Sequence, residues 1–226
     1  MLEIACFNLP SVYAAAKAGA DQIELCANYK AGGITPPNQW GTELSLKSPG
    51  VPVKVMIRPR GGDFNYTGEE FEQMKTSISE WKRYRVTGFV FGVLDANQRF
   101  DEVRNRELVE LAMPFPCTFH RAIDAIYAWE SAANSMVRCG FKSILCGSGE
   151  DGANKASTLQ SRYGRDIMVL YGGGVRSSNI EESRRETKVD WMHSSGITQP
   201  GEDVDVDEVG KMKSILTHLS QELAGG

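Results

Sequence analysis

The feature that most constrains the fold is a regular alternation of short apolar runs with longer amphipathic or alanine-rich runs along the whole chain. Eight of the short runs have the length and character of buried strands. They are Leu2–Cys6, Gln22–Cys26, Val53–Ile57, Gly88–Val93, Pro116–His120, Ser143–Cys146, Ile167–Tyr171 and Val189–His193. Most of them recur every ~25 to 30 residues, which is the length of one strand–helix unit.

Eight such units in 226 residues predict an α/β fold, the (β/α)8 TIM barrel, in which residues 1–226 form a single domain. The competing interpretation is an open, doubly wound sheet. Its dinucleotide-binding form is disfavoured because no Gly-x-Gly-x-x-Gly pattern follows the first strand.

Capping residues mark several of the helices that the barrel needs. Thr67 and Glu70 have the spacing of a capping box ahead of an amphipathic stretch, and Ser178 and Glu181 have the same spacing. Gly140 is expected to end another helix, because glycine readily adopts the left-handed conformation that closes a helix. The sequence therefore predicts helices between the strands.

The charge balance argues against several classes of partner. The chain has 25 Lys and Arg against 29 Asp and Glu, a net charge of −4. Nucleic-acid binders and polybasic membrane anchors carry a basic surplus, so we expect neither partner. No apolar run is long enough to cross a bilayer, and the five cysteines have no regular spacing that indicates a disulfide framework. We therefore expect a cytoplasmic protein.

Strand alternation identifies the polar residues that point into the predicted barrel. Glu3, Glu24, Arg58 and His120 fall on inward positions. Glu24 and Arg58 lie on adjacent strands and can form an ion pair, which in one interpretation only fills the barrel. In the other interpretation they belong to a site at the C-terminal ends of the strands, where barrel enzymes place their active sites. Glu24, Arg58 and His120 are the candidate catalytic residues.

Glycine- and serine-rich loops follow the last two strands. Gly173 and Gly174 follow the seventh strand, and Ser194 and Ser195 follow the eighth. Loops at these places bind phosphate in many barrels, because backbone N–H groups and hydroxyls donate to the anion. Arg60, in the loop after the third strand, is a further candidate for anion binding. The alternative is that the glycines only form tight turns.

The positions of the cysteines bear on metal binding. Cys26 points inward, and a soft sulfur ligand of this kind favours copper(I). Strand alternation places Cys6 on the face that packs against the helices, which argues against it as a second ligand. No CxxC, HxxxH or HExxH pattern is present, so the sequence has no strong zinc motif.

Seven segments form a distinctive set that runs in order through nearly the whole chain. They are Ile23–Cys26, Gly32–Pro36, Met56–Phe64, Phe91–Leu94, Thr118–Ala122, Gly172–Val175 and His193–Ser195. Together they resemble the CutC copper-homeostasis family. The resemblance implies a (β/α)8 barrel, a cytoplasmic location, a homo-oligomer such as a dimer or tetramer, and a role in copper binding and trafficking. No established enzymatic reaction comes with it.

The chain departs from that family pattern at two places. The resemblance implies a copper(I) pair of Cys26 and a first-strand cysteine, but Ala5 occupies that position and Cys6 follows one residue later. One residue along a strand is the opposite face, so the inward pair is incomplete. The loop after the sixth strand reads LCGS at residues 145–148, where the family usually has LTSG. It keeps a glycine and, at Ser148, a hydroxyl.

Two functions follow from these observations. The first is copper(I) binding in copper homeostasis, with Cys26 as the ligand. The second is an enzyme of lyase, isomerase or hydrolase type that acts on a small phosphorylated or carboxylated metabolite. In that enzyme Glu24 or His120 transfers a proton, and Arg58 and Arg60 hold the anion. No inward lysine ends a strand, which argues against Schiff-base chemistry.

Overall fold

A computed structural model describes residues 1–147, 149 and 151–225. Eight parallel strands form one closed barrel in chain order, and β8 closes onto β1. The strands are β1 (Leu2–Cys6), β2 (Gln22–Leu25), β3 (Val53–Met56), β4 (Gly88–Phe91), β5 (Cys117–Phe119), β6 (Ser143–Cys146), β7 (Met168–Tyr171) and β8 (Trp191–Ser194). The predicted (β/α)8 barrel is confirmed, and each predicted strand is present to within two residues at either end.

Helices alternate with the strands around the outside of the barrel. They are α1 (Leu9–Lys17), α2 (Gln39–Leu46), α3 (Gly68–Trp81), α4 (Glu102–Ala112), α5 (Trp129–Cys139), α6 (Gly152–Tyr163), α7 (Ile180–Thr187) and α8 (Val206–Gly225). A 3₁₀ turn, Arg121–Ala125, follows β5 directly. Among the described residues, no helix combines the length and the apolar character that crossing a membrane requires.

The capping predictions have different outcomes. Thr67 and Glu70 form both hydrogen bonds of a capping box at the start of α3, and Gly140 closes α5 in the left-handed conformation. The capping box predicted at Ser178 is wrong, because α7 begins only after Asn179. The side chain of Asn179 accepts the backbone N–H of Arg176 at 2.8 Å, which forms a turn ahead of the helix and delays its start.

The main core lies between the barrel and the surrounding helices. In β1 the side chains of Leu2, Ile4 and Cys6 are buried in this core. The alternate residues, Glu3 and Ala5, are buried in the barrel interior, as the alternation predicts. A smaller apolar cluster fills part of that interior. Its members are Ala5, Phe7, Cys26, Met56, Val90 and Ile197.

The interior near the N-terminal ends of the strands is polar. Lys54 Nζ donates to Thr118 Oγ1 at 3.0 Å and to Ser143 Oγ at 3.4 Å, and it lies 3.7 Å from Glu3 Oε2. A buried ammonium group is costly unless it is paired and hydrogen-bonded, and this one is both. Lys54 therefore belongs to the packed interior of the barrel.

Candidate functional site

A cavity of about 610 Å³ opens at the C-terminal end of the barrel. Strand ends and the loops that follow them line it, and active sites lie at this end of barrel enzymes. Its polar side chains are Glu24, Cys26, Tyr29, Arg58, His120, Arg121, Asp124, Arg176, His193, Ser194 and Ser195. Among the described residues the lining contains three arginines and two carboxylates, so this part of the lining carries a positive surplus although the chain as a whole is acidic.

A series of buried ionisable groups connects the barrel interior to this cavity. Glu3 lies beside Lys54, and its other carboxylate oxygen, Oε1, is 2.7 Å from Nδ1 of His193. The opposite nitrogen of that ring, Nε2, is 3.7 Å from Oε2 of Glu24. Basic and acidic side chains alternate along the series, so each carboxyl group has a basic neighbour. His193 is held between two carboxylates.

Burial and pairing set the protonation of these groups. Burial alone would raise the pKa of Glu3, but Lys54 and the hydrogen bond with His193 outweigh it and lower that pKa to about 2. Burial raises the pKa of Glu24, although His193 acts in the opposite direction. Burial alone would lower the pKa of His193, but the two carboxylates raise it. Glu3 is therefore a fixed charge at neutral pH, and Glu24 is the carboxyl group better suited to proton exchange.

His120 follows β5 and is a neutral hydrogen-bond donor. The backbone N–H of Ala122 donates to its Nδ1 at 3.3 Å, which assigns the ring proton to Nε2. Burial, with the charge of Arg58, lowers the pKa of His120 to about 3 and so keeps the imidazole neutral. Within the described part of the chain, its buried Nε2 has no hydrogen-bond partner. An acceptor on a bound ligand would satisfy this N–H group.

The orientation of the His120 ring depends on two neighbours. The ring of Phe64 packs against it with the centroids 4.8 Å apart. Just after β4, the neighbouring strand, a Cβ atom added at Gly92 would lie 2.8 Å from both Cε1 and Nδ1 of His120 and 2.9 Å from Cε2 of Phe119. A side chain at residue 92 would therefore force the imidazole and the neighbouring phenyl ring to shift.

Arg58 lines the cavity but does not form the predicted ion pair with Glu24. Its guanidinium donates to the carbonyl oxygens of Ala31, Gly32 and Gly33 and to that of Gly62, at 2.7–3.2 Å. The loops after β2 and β3 bring these carbonyls within reach, and strand alternation does not reveal loop geometry. Arg58 therefore joins two loops at the cavity wall, and the pairing prediction is corrected.

Arg60 is placed away from the cavity lining. Its guanidinium binds Glu70 at 2.6 Å and Asp63 at 3.0 Å, and it donates to nearby backbone carbonyls. Arg60 does not line the cavity, so the structure does not bring it together with the other predicted anion ligands. The two carboxylates already neutralise its charge.

The loops after β7 and β8 do meet at the cavity, as predicted. Gly173 and Gly174 line it in the left-handed region, with φ of +96° and +97°. Ser194 Oγ donates to a backbone carbonyl and accepts two N–H groups, so its hydrogen-bonding capacity is used within the loop. Ser195 Oγ accepts from Arg176 at 3.4 Å and keeps its own proton available.

Five polar residues of the cavity lining were absent from the candidates that the sequence yielded: Tyr29, Arg121, Asp124, Arg176 and His193. His193 lies on an inward-facing position at the end of the eighth predicted strand, and that position was the signal that could have identified it. Arg176 follows the glycine loop after β7, and it donates to Ser194 Oγ at 3.1 Å. Its position depends on the fold of that loop, which the sequence pattern does not specify. Ser148, noted for its hydroxyl, lies outside the described residues.

The cysteines divide as the strand parity predicts. Cys26 lines the cavity, and its thiol donates to Glu24 Oε2 at 3.6 Å. Burial, and then the charge of Glu24, raises the pKa of this thiol. Cys6 is buried in the helix-facing core instead, where its thiol contacts the carbonyl of Ile4. The described residues contain no group of three or more His, Cys, Asp or Glu side chains arranged to hold a metal ion.

Comparison with known proteins decides the family. The model of the CutC family matches residues 1–198. The chain belongs to the CutC family. A copper homeostasis protein cutC homolog of Caenorhabditis elegans is 37% identical over 198 residues, which cover 86% of this chain and 79% of that protein. The homolog of the same name in Homo sapiens is 35% identical over 186 residues, covering 80% and 67%.

A solved CutC structure extends the comparison to three dimensions. The CutC protein of Streptococcus agalactiae superposes with a TM-score of 0.81 at 30% identity, covering 88% of this chain and 99% of that one. The family resemblance inferred from the seven segments is therefore confirmed. Two of those segments contribute Arg58 and His120 to the cavity lining, and a third contributes Gly92, which packs against the His120 ring.

Proposed function

We propose that this CutC-family chain takes part in copper homeostasis and that it binds copper(I) at the cavity through Cys26. The family membership and the names of its relatives support the role in copper homeostasis. The observation that carries the binding proposal is the position of Cys26, the cysteine among the described residues whose side chain lines the cavity. Copper(I) is the cargo in this proposal.

The donor set at Cys26 fits weak copper(I) binding and does not fit a two-thiolate site. Ala5 provides only a methyl group, and Cys6 lies on the other face of β1. The thioether of Met56 belongs to the same interior cluster as Cys26 and is the soft group available beside it. Since the pKa of the Cys26 thiol is raised, copper(I) must displace a proton to bind.

An anaerobic titration with copper(I) against a colorimetric chelator tests this proposal. We expect the wild-type protein to bind one copper(I) ion weakly, with an affinity that increases with pH because the thiol must lose its proton. Cys26→Ser should abolish this binding. Cys139→Ser, at the end of α5, is the matched control and should bind as the wild type does. Equal binding by the wild type and Cys26→Ser would refute the role of Cys26.

We also propose a cytoplasmic location and a homo-oligomer, dimer or tetramer. The free state of all five cysteines supports a reducing compartment. Light scattering coupled to size-exclusion chromatography tests the assembly. A mass of two or four times 24.9 kDa is expected, and a mass of 24.9 kDa would contradict the proposal.

A second function, binding of a small anionic metabolite, is favoured by a specific observation. Three cavity residues have a buried polar atom without a hydrogen-bond partner among the described residues, and these atoms are Glu24 Oε1, Arg58 Nε and His120 Nε2. Buried polar atoms cost free energy unless a partner satisfies them, so this grouping indicates a polar ligand. Arg176 brings a positive charge to the cavity lining and Ser195 brings a hydroxyl group, and both suit the anionic part of such a ligand.

Calorimetric titration with dihydroxyacetone phosphate tests the second function. The compound is a probe that carries a carbonyl, a hydroxyl and a phosphate. We expect measurable binding to the wild type and at least tenfold weaker binding to Arg176→Gln, because a charge-assisted contact is lost. Arg185→Gln, on the exposed face of α7, is the control and should not change binding. Unchanged affinity in Arg176→Gln would refute this placement of the anion.

A further inference from the structure

We propose that the cavity catalyses proton transfer at the carbon beside the carbonyl group of a small α-hydroxycarbonyl anion, with Glu24 as the base and His120 as the donor to the carbonyl oxygen. This inference rests on the small-anion function proposed above and names its reaction class. It is carried by two residues that line one cavity and that each have an unpartnered buried atom among the described residues, the acceptor Glu24 Oε1 and the donor His120 Nε2–H.

Glu24 is built to present one of its carboxylate oxygens. Its Oε2 lies 3.7 Å from Nε2 of His193 and accepts the thiol of Cys26 at 3.6 Å, so this oxygen is fixed by neighbours on both sides. Oε1 has no partner among the residues that the structure describes. A carboxylate that is oriented through one oxygen and free at the other has the arrangement of a general base.

The contacts of His120 suit it to donate a hydrogen bond and not to accept a proton. Its Nδ1 is occupied by the N–H of Ala122, so the neutral ring has one N–H group left, and that group needs an acceptor. A neutral imidazole that donates to a carbonyl oxygen stabilises the negative charge that develops there when an adjacent carbon loses its proton. A glutamate base paired with a neutral histidine donor is a known arrangement for enolisation in a barrel enzyme.

The anionic part of the ligand has a place on the other side of the cavity. Arg176 is held by Ser194 and Ser195, and Gly173 and Gly174 lie beside it on the cavity lining. No lysine lines the cavity among the described residues, so the lining offers no amine for a Schiff base with the carbonyl. The cavity chemistry therefore favours enolisation over imine-based cleavage.

The reaction balances without an added oxidant or reductant. The C–H bond beside the carbonyl breaks, its proton forms an O–H bond at Glu24 Oε1, and its electron pair forms the carbon–carbon double bond of an enediolate. The former carbonyl oxygen takes the negative charge and accepts the N–H of His120. Return of the proton from Glu24 to the neighbouring carbon, with transfer of the hydroxyl proton between the two oxygens, gives an isomer of the starting compound.

Exchange of hydrogen for deuterium tests the proposal with metal-free, full-length protein. Dihydroxyacetone phosphate is incubated with the protein in deuterium oxide that contains a chelator, and loss of its carbon-bound proton signal is followed by NMR. We expect the wild type to catalyse exchange. The exchange rate of Glu24→Gln should be lower by at least about a hundredfold, which is the contribution of a general base. His120→Gln should slow exchange roughly 10²- to 10³-fold, the scale of one lost oxyanion donor.

The controls separate this inference from the functions on which it rests. Arg185→Gln should exchange at the wild-type rate, and each variant is purified identically so that a contaminating isomerase would appear in all of them. Exchange that is absent from the wild type, or equal in the wild type and Glu24→Gln, overturns the proposed chemistry. Calorimetric binding of the probe without exchange would leave the small-anion function standing and overturn only the reaction class.

Discussion

At the scale of single residues, the cavity lining combines one thiol with a buried carboxyl group and a neutral imidazole. Cys26 and Glu24 are neighbours in the cavity, and the thiol donates to the carboxylate at 3.6 Å. Strand alternation predicted both side chains to point inward, because a period of two depends on the sequence alone. It did not predict the partner of Arg58, since a long side chain at a strand end contacts loops whose carbonyls the pattern does not locate.

The first prediction concerns Ala5, which occupies the first-strand position where the family resemblance implies a cysteine. Ala5→Cys places a second sulfur in the interior cluster that contains Cys26, so copper(I) affinity should rise about tenfold or more. The anaerobic copper(I) titration measures it. Ala132→Cys, on α5, adds a thiol outside the cavity and should leave the affinity unchanged. No gain in Ala5→Cys would contradict the placement of the copper(I) site.

The second prediction concerns the buried neutral histidine. The pKa of His120 is lowered from 6.5 to about 3, so below pH 6.5 the unfolded chain binds a proton that the folded chain does not. Relative to His120→Gln, the wild type should therefore lose stability as the pH decreases, with a slope approaching about 1.4 kcal/mol per pH unit for one proton. Urea unfolding of the wild type and His120→Gln between pH 6.5 and 4.5 measures this slope as the pH dependence of the difference between their unfolding free energies. Parallel curves would contradict the lowered pKa.

At the scale of elements, the strands were more predictable than the loops and helix starts. The eight apolar runs predicted every strand, because burial on both faces leaves a clear compositional pattern. The start of α7 was displaced by the turn that Asn179 forms, which competes locally with the capping box at Ser178. His193 was overlooked although the same alternation, applied to β8, places it in the interior.

The third prediction concerns the two loops that Arg58 joins. Arg58→Lys replaces a fork that donates to four carbonyl oxygens by a single ammonium group, so unfolding should become easier by roughly 2–4 kcal/mol. Urea denaturation measures the change. Arg60→Lys alters an arginine whose partners are more exposed, and it should cost less than about 1 kcal/mol. Equal losses in the two variants would contradict the role of Arg58 in joining the loops.

The fourth prediction concerns the contact between the end of β4 and the end of β5. Gly92→Ala places a Cβ atom 2.8 Å from the His120 ring, so the ring must move. Deuterium exchange should slow, and the NMR titration of His120 should shift toward its ordinary pKa as the ring leaves its buried position. Gly68→Ala, where a Cβ meets nothing within 4 Å, is the control. An unchanged His120 titration in Gly92→Ala would contradict this packing argument.

At the scale of the whole molecule, the barrel gathers distant residues into one cavity. Glu24 and His193 are separated by most of the chain, yet closure of β8 onto β1 brings them within 3.7 Å. The family and the barrel were predictable because their signals run along the chain. The occupant of the cavity was not, because it depends on side-chain directions that only the closed barrel determines.

A crystal structure of the protein grown with dihydroxyacetone phosphate tests whether the cavity at the C-terminal end of the barrel is the working site of this CutC-family protein. We expect ligand density in the cavity, with oxygens within hydrogen-bond distance of His120 Nε2 and Arg176 and the reacting carbon beside Glu24 Oε1. Density for the compound only outside the cavity, with the cavity filled by water, would contradict it.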